Sequence, residues 1–342
     1  MIKQLKRKKV LILALLFPYI FFMFVSTYRI EYSLTAPGGL SAVEQQVTFD
    51  SMYESDGELY TTYVMGIVEP TFLQFMMAYF DDRIDTRSIA FSDQGLTDRQ
   101  RIEYGFLQRD NAWNAAIISA YSALDIHVDY VIRQMVTRIY PDNADIGDLQ
   151  VLDEILAVNG ETENIVFTLN NIDCDIPITL TVRNEADDIV TIDITKRRVE
   201  NVCSSWFSVE PYYDILEVGL DYEVHTNFVG GPSGGFMQFL QIYNALTEED
   251  LISGMRVAGT GGIDLNGYAL PMGGIKQKVI AADMAGVDVF FVPRLNDNNY
   301  NDNYQQALRA IEEFDLSITV VGVNHWTDAV NYLLELKGED HV

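Results

Sequence analysis

Histidine, cysteine and basic residues are scarce in this chain, and each shortage removes a class of chemistry. Four histidines and two cysteines among 342 residues form no His-Glu-x-x-His and no Cys-x-x-Cys, so zinc hydrolysis and dithiol redox chemistry lack their ligands. No Gly-x4-Gly-Lys-Ser/Thr occurs, which excludes a P-loop and an ATPase within the chain. Gly259-x-Gly261 lacks the third glycine of a dinucleotide site, and neither a cofactor nor a metal is expected. Lys and Arg total 23 against 50 Asp and Glu, a formal net charge of -27. So acidic a surface repels nucleic-acid phosphate, excluding nucleic acid as a partner, and favours basic peptides; it also serves plain solubility. Cys174 and Cys203 are too few for a disulfide framework. They are expected as buried, inert thiols, although export would permit them to pair.

The long hydrophobic run is confined to one place. Val10 to Tyr28 carries no formal charge over 19 residues, and as a helix it would extend about 28 Å, close to a bilayer core of roughly 30 Å. Lys3, Lys6, Arg7, Lys8 and Lys9 precede it and Arg29 follows, so residues 1–9 are expected in the cytoplasm and the remainder across the membrane. No convincing small-x-small cleavage site lies between Phe24 and Ala36, which favours a retained signal anchor over residues 10–28 against a cleaved signal peptide. Pro18 bends such a helix without excluding it.

Beyond the anchor, Tyr32 to Asp50 alternates around Pro37-Gly38-Gly39 and predicts short strands joined by a turn. Glu58 to Glu69 predicts a strand, and Pro70 opens a helix with Phe72, Phe75, Met76, Tyr79 and Phe80 at helical spacing, an aromatic stripe expected in the core. Thr97-Asp98-Arg99-Gln100 is a capping box before a helix through Trp113 to about Leu124. Short strand-like runs at Tyr130 to Val136, Glu154 to Val158, Ile176 to Val182 and Ile189 to Ile194 predict a small β-rich module over 127–200. From Ser204 onward, helical runs around Phe236 to Leu246, Val279 to Ala285, Tyr304 to Phe314 and Thr327 to Leu336 alternate with strands at Val287 to Val292 and Ile318 to Val323. The fold class is α+β.

Two glycine-rich stretches carry the chemistry. Gly230 to Gly235 places Pro232-Ser233 between glycines ahead of an amphipathic helix, whose free N–H groups and positive dipole end would suit an oxyanion. Gly273 to Lys278 sets Lys276 at the start of another helix, where the dipole and an apolar surround would hold an amine neutral, the state a general base needs. Lys278 reads as a solvated surface lysine. Between them, Thr260 offers a hydroxyl to orient the lysine. A bare glycine-proline-serine turn with serine as a cap is the structural alternative.

Gly-Pro-Ser-Gly-Gly, then Thr-Gly-Gly-Ile-Asp-Leu-Asn-Gly, then Leu-Pro-Met-Gly-Gly-Ile-Lys-Gln-Lys-Val-Ile-Ala-Ala resembles, in order and spacing, the proteolytic domain of Lon proteases from about Val224 to Pro293. The resemblance implies Ser233 as nucleophile and Lys276 as general base of a serine–lysine dyad, supported by Thr260 and by Gly231, Pro232 and Gly234 of the serine loop. Asp145 to Glu161 resembles the helical turn leading into a strand of a PDZ domain. With the anchor, the whole is similar to membrane-anchored PDZ–Lon-like peptidases. The resemblance therefore implies a protease fold over 29–126 and 204–342 interrupted by a PDZ insertion at 127–200. It further implies an ATP-independent endopeptidase outside the membrane, acting on peptide or protein substrates, and self-association into a ring, commonly a hexamer. Gly234 replaces the usual alanine, which implies a more flexible loop, Gly230 replaces the acid of ATP-dependent members, and Ser122 to Tyr130 shows no Gly-Leu-Gly-Phe carboxylate loop. A catalytically silent peptide-binding scaffold and a Ser-His-Asp hydrolase using His225 are the competing readings.

Overall fold

The computed structural model describes residues 2–89, 97–140, 146–199, 202–204, 207–225, 228–296 and 298–339, with the side chains of 2–13, 15, 199, 202, 204 and 339 outside the description. The helix α1 (Ile2–Thr27) leads into strand β1 (Tyr32–Ala42), β2 (Val47–Phe49), β3 (Glu58–Val68), helix α2 (Phe72–Tyr79), β4 (Asp85–Ser88) and helix α3 (Asp98–Ala123). A β-rich stretch follows: β5 (Val128–Ile139), β6 (Glu154–Val158), α4 (Ile165–Asn171), β7 (Pro177–Arg183), β8 (Ile189–Thr195), β9 (Arg197–Val199), β10 (Val202–Ser204) and β11 (Phe207–Val218). The remainder is β12 (Tyr222–Val224), α5 (Gly235–Leu246), β13 (Arg256–Gly259), β14 (Gly262–Ile263), β15 (Ala269–Leu270), α6 (Ile275–Met284), β16 (Val289–Pro293), α7 (Asn303–Phe314), β17 (Thr319–Val323) and α8 (Trp326–Glu339).

A six-stranded mixed sheet, in order β17-β16-β13-β3-β1-β4, forms the centre. The strands β3, β13, β16 and β17 run parallel, whereas β1 and β4 pair antiparallel. Parallel strands covered on both faces read as continuous apolar runs, as Val289-Phe290-Phe291-Val292 does. One face packs Trp113, Ile117 and Tyr121 of α3 against Phe236, Phe239 and Leu240 of α5. The other buries Ile275, Val279 and Ala282 of α6 with Ala307 of α7. The segment before residue 125 thus shares its sheet with strands from beyond residue 255.

A second, five-stranded antiparallel sheet runs in order β11-β5-β6-β7-β8, with its own core of Val136, Ile155, Val158, Ile178, Leu180 and Val182 beside Ile165 and Leu169 of α4. The strands β5 and β11 pair along nearly their whole length, from Ile139–Phe207 to Val128–Val218. Their far halves join this core and their near halves pack on the first.

Several expectations need correction. Pro37-Gly38-Gly39 is not a turn between strands but a bulge within β1, where the register on β3 shifts between Pro37 and Gly39. A proline, lacking an N–H, fits a bulge without breaking the ladder. The aromatic stripe of α2 is not core: Met77, Tyr79 and Phe80 are 68%, 67% and 77% exposed. Pro70 lies just before that helix rather than in its first turn, and Thr71 caps it through a capping box with Gln74. The box at Thr97 and Gln100 is present as expected. Cys174 and Cys203 are neither buried nor free; they form a disulfide with Cα atoms 5.7 Å apart, within ordinary bridging distance. It ties the loop after α4 to the β9–β10 hairpin. Asp145, at the start of the PDZ-like motif, lies outside the described residues, and β6 follows as the strand expected of it. Among the described residues no helix is long and apolar enough to cross a membrane. In α1 the described side chains Leu16, Phe17, Tyr19, Ile20, Phe21, Phe22, Met23 and Phe24 are exposed, and Val25 is buried.

Candidate active site

The site forms where β13 ends. The helix α5 precedes this strand and covers one face of the sheet; α6 follows it and covers the other. Chain segments from both faces therefore meet at the strand's carboxyl end, a habitual place for a site in open sheets. Two backbone bonds staple the serine loop there: Gly261 N–H donates to the Ser233 carbonyl at 2.9 Å, and Phe236 N–H donates to the Gly261 carbonyl at 3.0 Å. Gly231 has φ +98°, which a side chain would strain, and its N–H donates to the Gly105 carbonyl of α3 at 2.7 Å. Ser233 itself is half-buried. Among the described residues, the N–H groups of Ser233 and Gly234 find no acceptor, leaving two donors beside the hydroxyl at the start of α5. Gly234 adopts ordinary helical angles, φ -90° and ψ -15°, and caps the helix. A Cβ there would lie 3.0 Å from Thr61 Cγ2 and 3.2 Å from Gln238 Nε2.

The lysines exchange the parts expected of them. Lys276 does not enter a buried apolar site. Its Nζ donates to the Asp82 carbonyl at 2.8 Å and pairs with Asp85 at 2.6 Å, the side chain keeping 23% exposure. Burial alone would raise the Asp85 pKa, but the hydrogen bond and charge of Lys276 outweigh it and hold the carboxyl below its usual value. Lys278 is the buried one, 3% exposed. Its Nζ donates to Thr260 Oγ1 at 2.9 Å, and among the described residues no carboxylate pairs with it. Burial pushes its pKa down to about 8. Thr260, fully buried, donates in turn to the Ser233 carbonyl at 3.3 Å. The reason lies in helix geometry. Positions 276 and 278 point to opposite sides of α6, about 200° apart, and 278 shares the inward stripe with Ile275, Val279 and Ala282.

Ser233, Thr260 and Lys278 are thus brought together, with Gly231, Pro232 and Gly234 shaping the loop, and Lys276 is turned away. Gly274, in the left-handed region at φ +73°, starts α6 against β3; a Cβ there would meet Val64 Cγ1 at 2.8 Å. Sequence reasoning missed Lys278, Asp85 and Gln277, whose buried amide donates to the Arg83 carbonyl at 3.2 Å. His225 contacts Thr48 at 3.5 Å and Glu223 at 3.7 Å on the β2–β12 pair rather than Ser233. Among the described residues, no group of three or more His, Cys, Asp or Glu converges as metal ligands would.

An amine with no carboxylate partner among the described residues, a hydroxyl that orients it, and a serine on a glycine-rich helix start make a set suited to acyl transfer. The comparisons with known proteins fall on this same region. Residues 224–325 match the Lon protease (S16) C-terminal proteolytic domain. The chain is 32% identical over 109 residues to Lon protease of Metamycoplasma arthritidis, covering 32% of this chain and 12% of that protein. It is 36% identical over 96 residues to Lon protease of Anaeromyxobacter dehalogenans, covering 26% and 11%. With Lon protease of Roseiflexus castenholzii it shares 36% over 109 residues, covering 32% and 12%. The matched region therefore spans about one eighth of the length of these relatives. Over residues 224–325, from the strand before the serine loop to the turn before α8, this chain is similar to the Lon protease C-terminal proteolytic domain family.

Proposed function

We propose that the protein is an ATP-independent serine endopeptidase in which Ser233 is the nucleophile, Lys278 the general base and Thr260 the group that orients the lysine. The observation that carries this reading is the burial of Lys278 with Thr260 as its partner, in a region similar to a proteolytic domain. As Ser233 Oγ attacks the scissile carbonyl carbon, its proton passes to neutral Lys278 Nζ. The oxyanion accepts from the N–H groups of Ser233 and Gly234. Lys278 then returns the proton to the leaving nitrogen as the C–N bond breaks, giving an acyl-serine and a free amine. Water, deprotonated by the same lysine, attacks the ester carbonyl and releases Ser233. At pH 7 a lysine with a pKa of about 8 is roughly one tenth neutral, about 300-fold more than an unshifted one.

The test uses three variants on a fluorogenic peptide. Ser233→Ala and Lys278→Ala lose peptidase activity, whereas Lys276→Ala keeps it within about tenfold; activity retained by either of the first two sinks the assignment. Activity of the wild type rises with pH and levels off above about 8. A covalent serine-directed probe labelling Ser233 separates the enzyme from a silent peptide-binding scaffold.

We further read α1 as an anchor with the catalytic part outside the cytoplasm, a reading supported by the uncharged run from Val10 to Tyr28 and by the disulfide, which suits an oxidising compartment. The β-rich unit, with its own core and one helix, is read as the inserted PDZ domain that receives peptides. Self-association into a ring is tested by sedimentation of the detergent-solubilised chain, and a monomer at all concentrations removes it.

A further inference from the structure

The unburied stripe of α2 has no use in the site described above. Phe72, Met76, Met77, Tyr79 and Phe80 are all exposed, and only Ala78 of this helix is fully buried. Eight residues of such composition, Phe-Leu-Gln-Phe-Met-Met-Ala-Tyr, are costly to leave in water. Their position says what covers them. The helix α2 begins where α1 ends: Phe72 N–H donates to the Tyr28 carbonyl at 2.9 Å, and Arg29 bridges Thr71. Phe24 stacks on Tyr28 at 5.1 Å, and Tyr32 packs on Phe75 at 4.8 Å. The apolar end of α1 therefore lies directly beside the start of α2, with Arg29 at the junction and aromatic rings on either side of it, of the kind that collect at a membrane–water boundary.

We propose that α2 docks on the lipid bilayer surface, with Met77, Tyr79 and Phe80 inserted among the acyl chains beside the exit of α1. This rests on the reading of α1 as an anchor and adds a second, lateral contact to it. The occupant is lipid rather than a second copy of the chain, because the patch begins directly beside the end of the segment read as lying in the membrane. Contact is apolar, not ionic. The chain's charge of -27 repels anionic headgroups, and Arg83, just beyond the helix, is already paired with Asp81. The docked helix also sets the position of the site. Residues 82, 83 and 85, which follow it directly, accept hydrogen bonds or an ion pair from Lys276 and Gln277 of α6. The helix that carries Lys278 is thereby held at a fixed height above the bilayer.

The test places an environment-sensitive dye at single cysteines in the full chain reconstituted into phosphatidylcholine vesicles, with or without brominated acyl chains. The two native cysteines are bonded to each other and leave no competing thiol. Met77→Cys and Phe80→Cys should show blue-shifted emission that brominated lipid quenches, as should Phe22→Cys within α1, while Leu308→Cys on α7 shows neither. Quenching at 22 but not at 77 and 80 overturns the proposal and leaves the anchor standing. No quenching at 22 removes the anchor and the proposal together. A blue shift at 77 and 80 without quenching, accompanied by thiol cross-links between chains, assigns the patch to a second copy and also overturns it.

Discussion

Replacing Lys278 by methionine should abolish activity and yet stabilise the protein, and the size of that effect follows from its burial. The fall of the lysine pKa from 10.5 to about 8 corresponds to about 3 kcal/mol of disfavoured charge at neutral pH. Because the folded pKa is the lower one, the folded protein holds fewer protons than the unfolded chain between about pH 8 and 10.5. The penalty is therefore present in full below about pH 8 and is relieved as pH rises to about 10.5. Methionine matches the lysine stem in size and removes the ammonium, at the loss of one hydrogen bond to Thr260 of about 1 kcal/mol. The variant should gain roughly 2 kcal/mol at pH 7, and the gain should vanish towards pH 10.5. Urea unfolding of both chains in detergent micelles, at pH 7 and at pH 10, reads the difference and cancels titrations common to both. Lys276→Met, which breaks the pair with Asp85, should be neutral or destabilising at both. A Lys278 variant less stable than wild type at pH 7, with a gap independent of pH, would refute the claim that this amine is held in a desolvated place.

Thr260→Val keeps the shape and removes both the acceptor for Lys278 and the donor to Ser233; kcat should fall by about 10- to 100-fold with KM little changed, and an unchanged kcat would deprive Thr260 of its orienting part. Cys174→Ser together with Cys203→Ser opens a loop of 29 residues and should lower the stability of the β-rich unit by about 3 kcal/mol, read as earlier proteolytic nicking within 146–204 at unchanged peptidase activity. Gly231→Ala, forced to φ +98°, should cost about 1–2 kcal/mol and lower activity without altering the pH profile.

The elements with a clean period were legible in the sequence. The strands β3, β6, β7, β8 and β17 and the helices α3, α5, α7 and α8 stand close to where alternation, caps and 3.6-residue spacing put them. The misses have physical causes. In α2 the same period that marks a core stripe also marks a surface stripe, because pattern gives a face and not its environment. In β11 charged residues and Pro211 interrupt the run; the strand lies at the edge of its sheet, where proline is tolerated. The serine loop and threonine were visible as glycine-flanked hydroxyls. The choice between two lysines was legible too, had the inward stripe of α6 been counted: 275, 278, 279 and 282 follow the i, i+3, i+4, i+7 rule. Spacing from Ser233 alone could not decide it. The disulfide was beyond sequence, since pairing depends on Cα distances set by the chain between.

Because Ile139 and Phe207 are partners across the β5–β11 ladder, everything between them enters and leaves through one doorway. A short hairpin turn joining these two positions would excise the whole intervening unit and leave the strands below it in register. Shuffling of such a cassette, by nature or by an engineer, would leave Val136, Ile139 and Val209 to be covered again and Arg133 without Glu154, because the residues that cover and pair with them belong to the unit removed. The same ladder is shared by the two cores, with Val136 and Phe207 buried in one and Val128 and Tyr213 packed on the other.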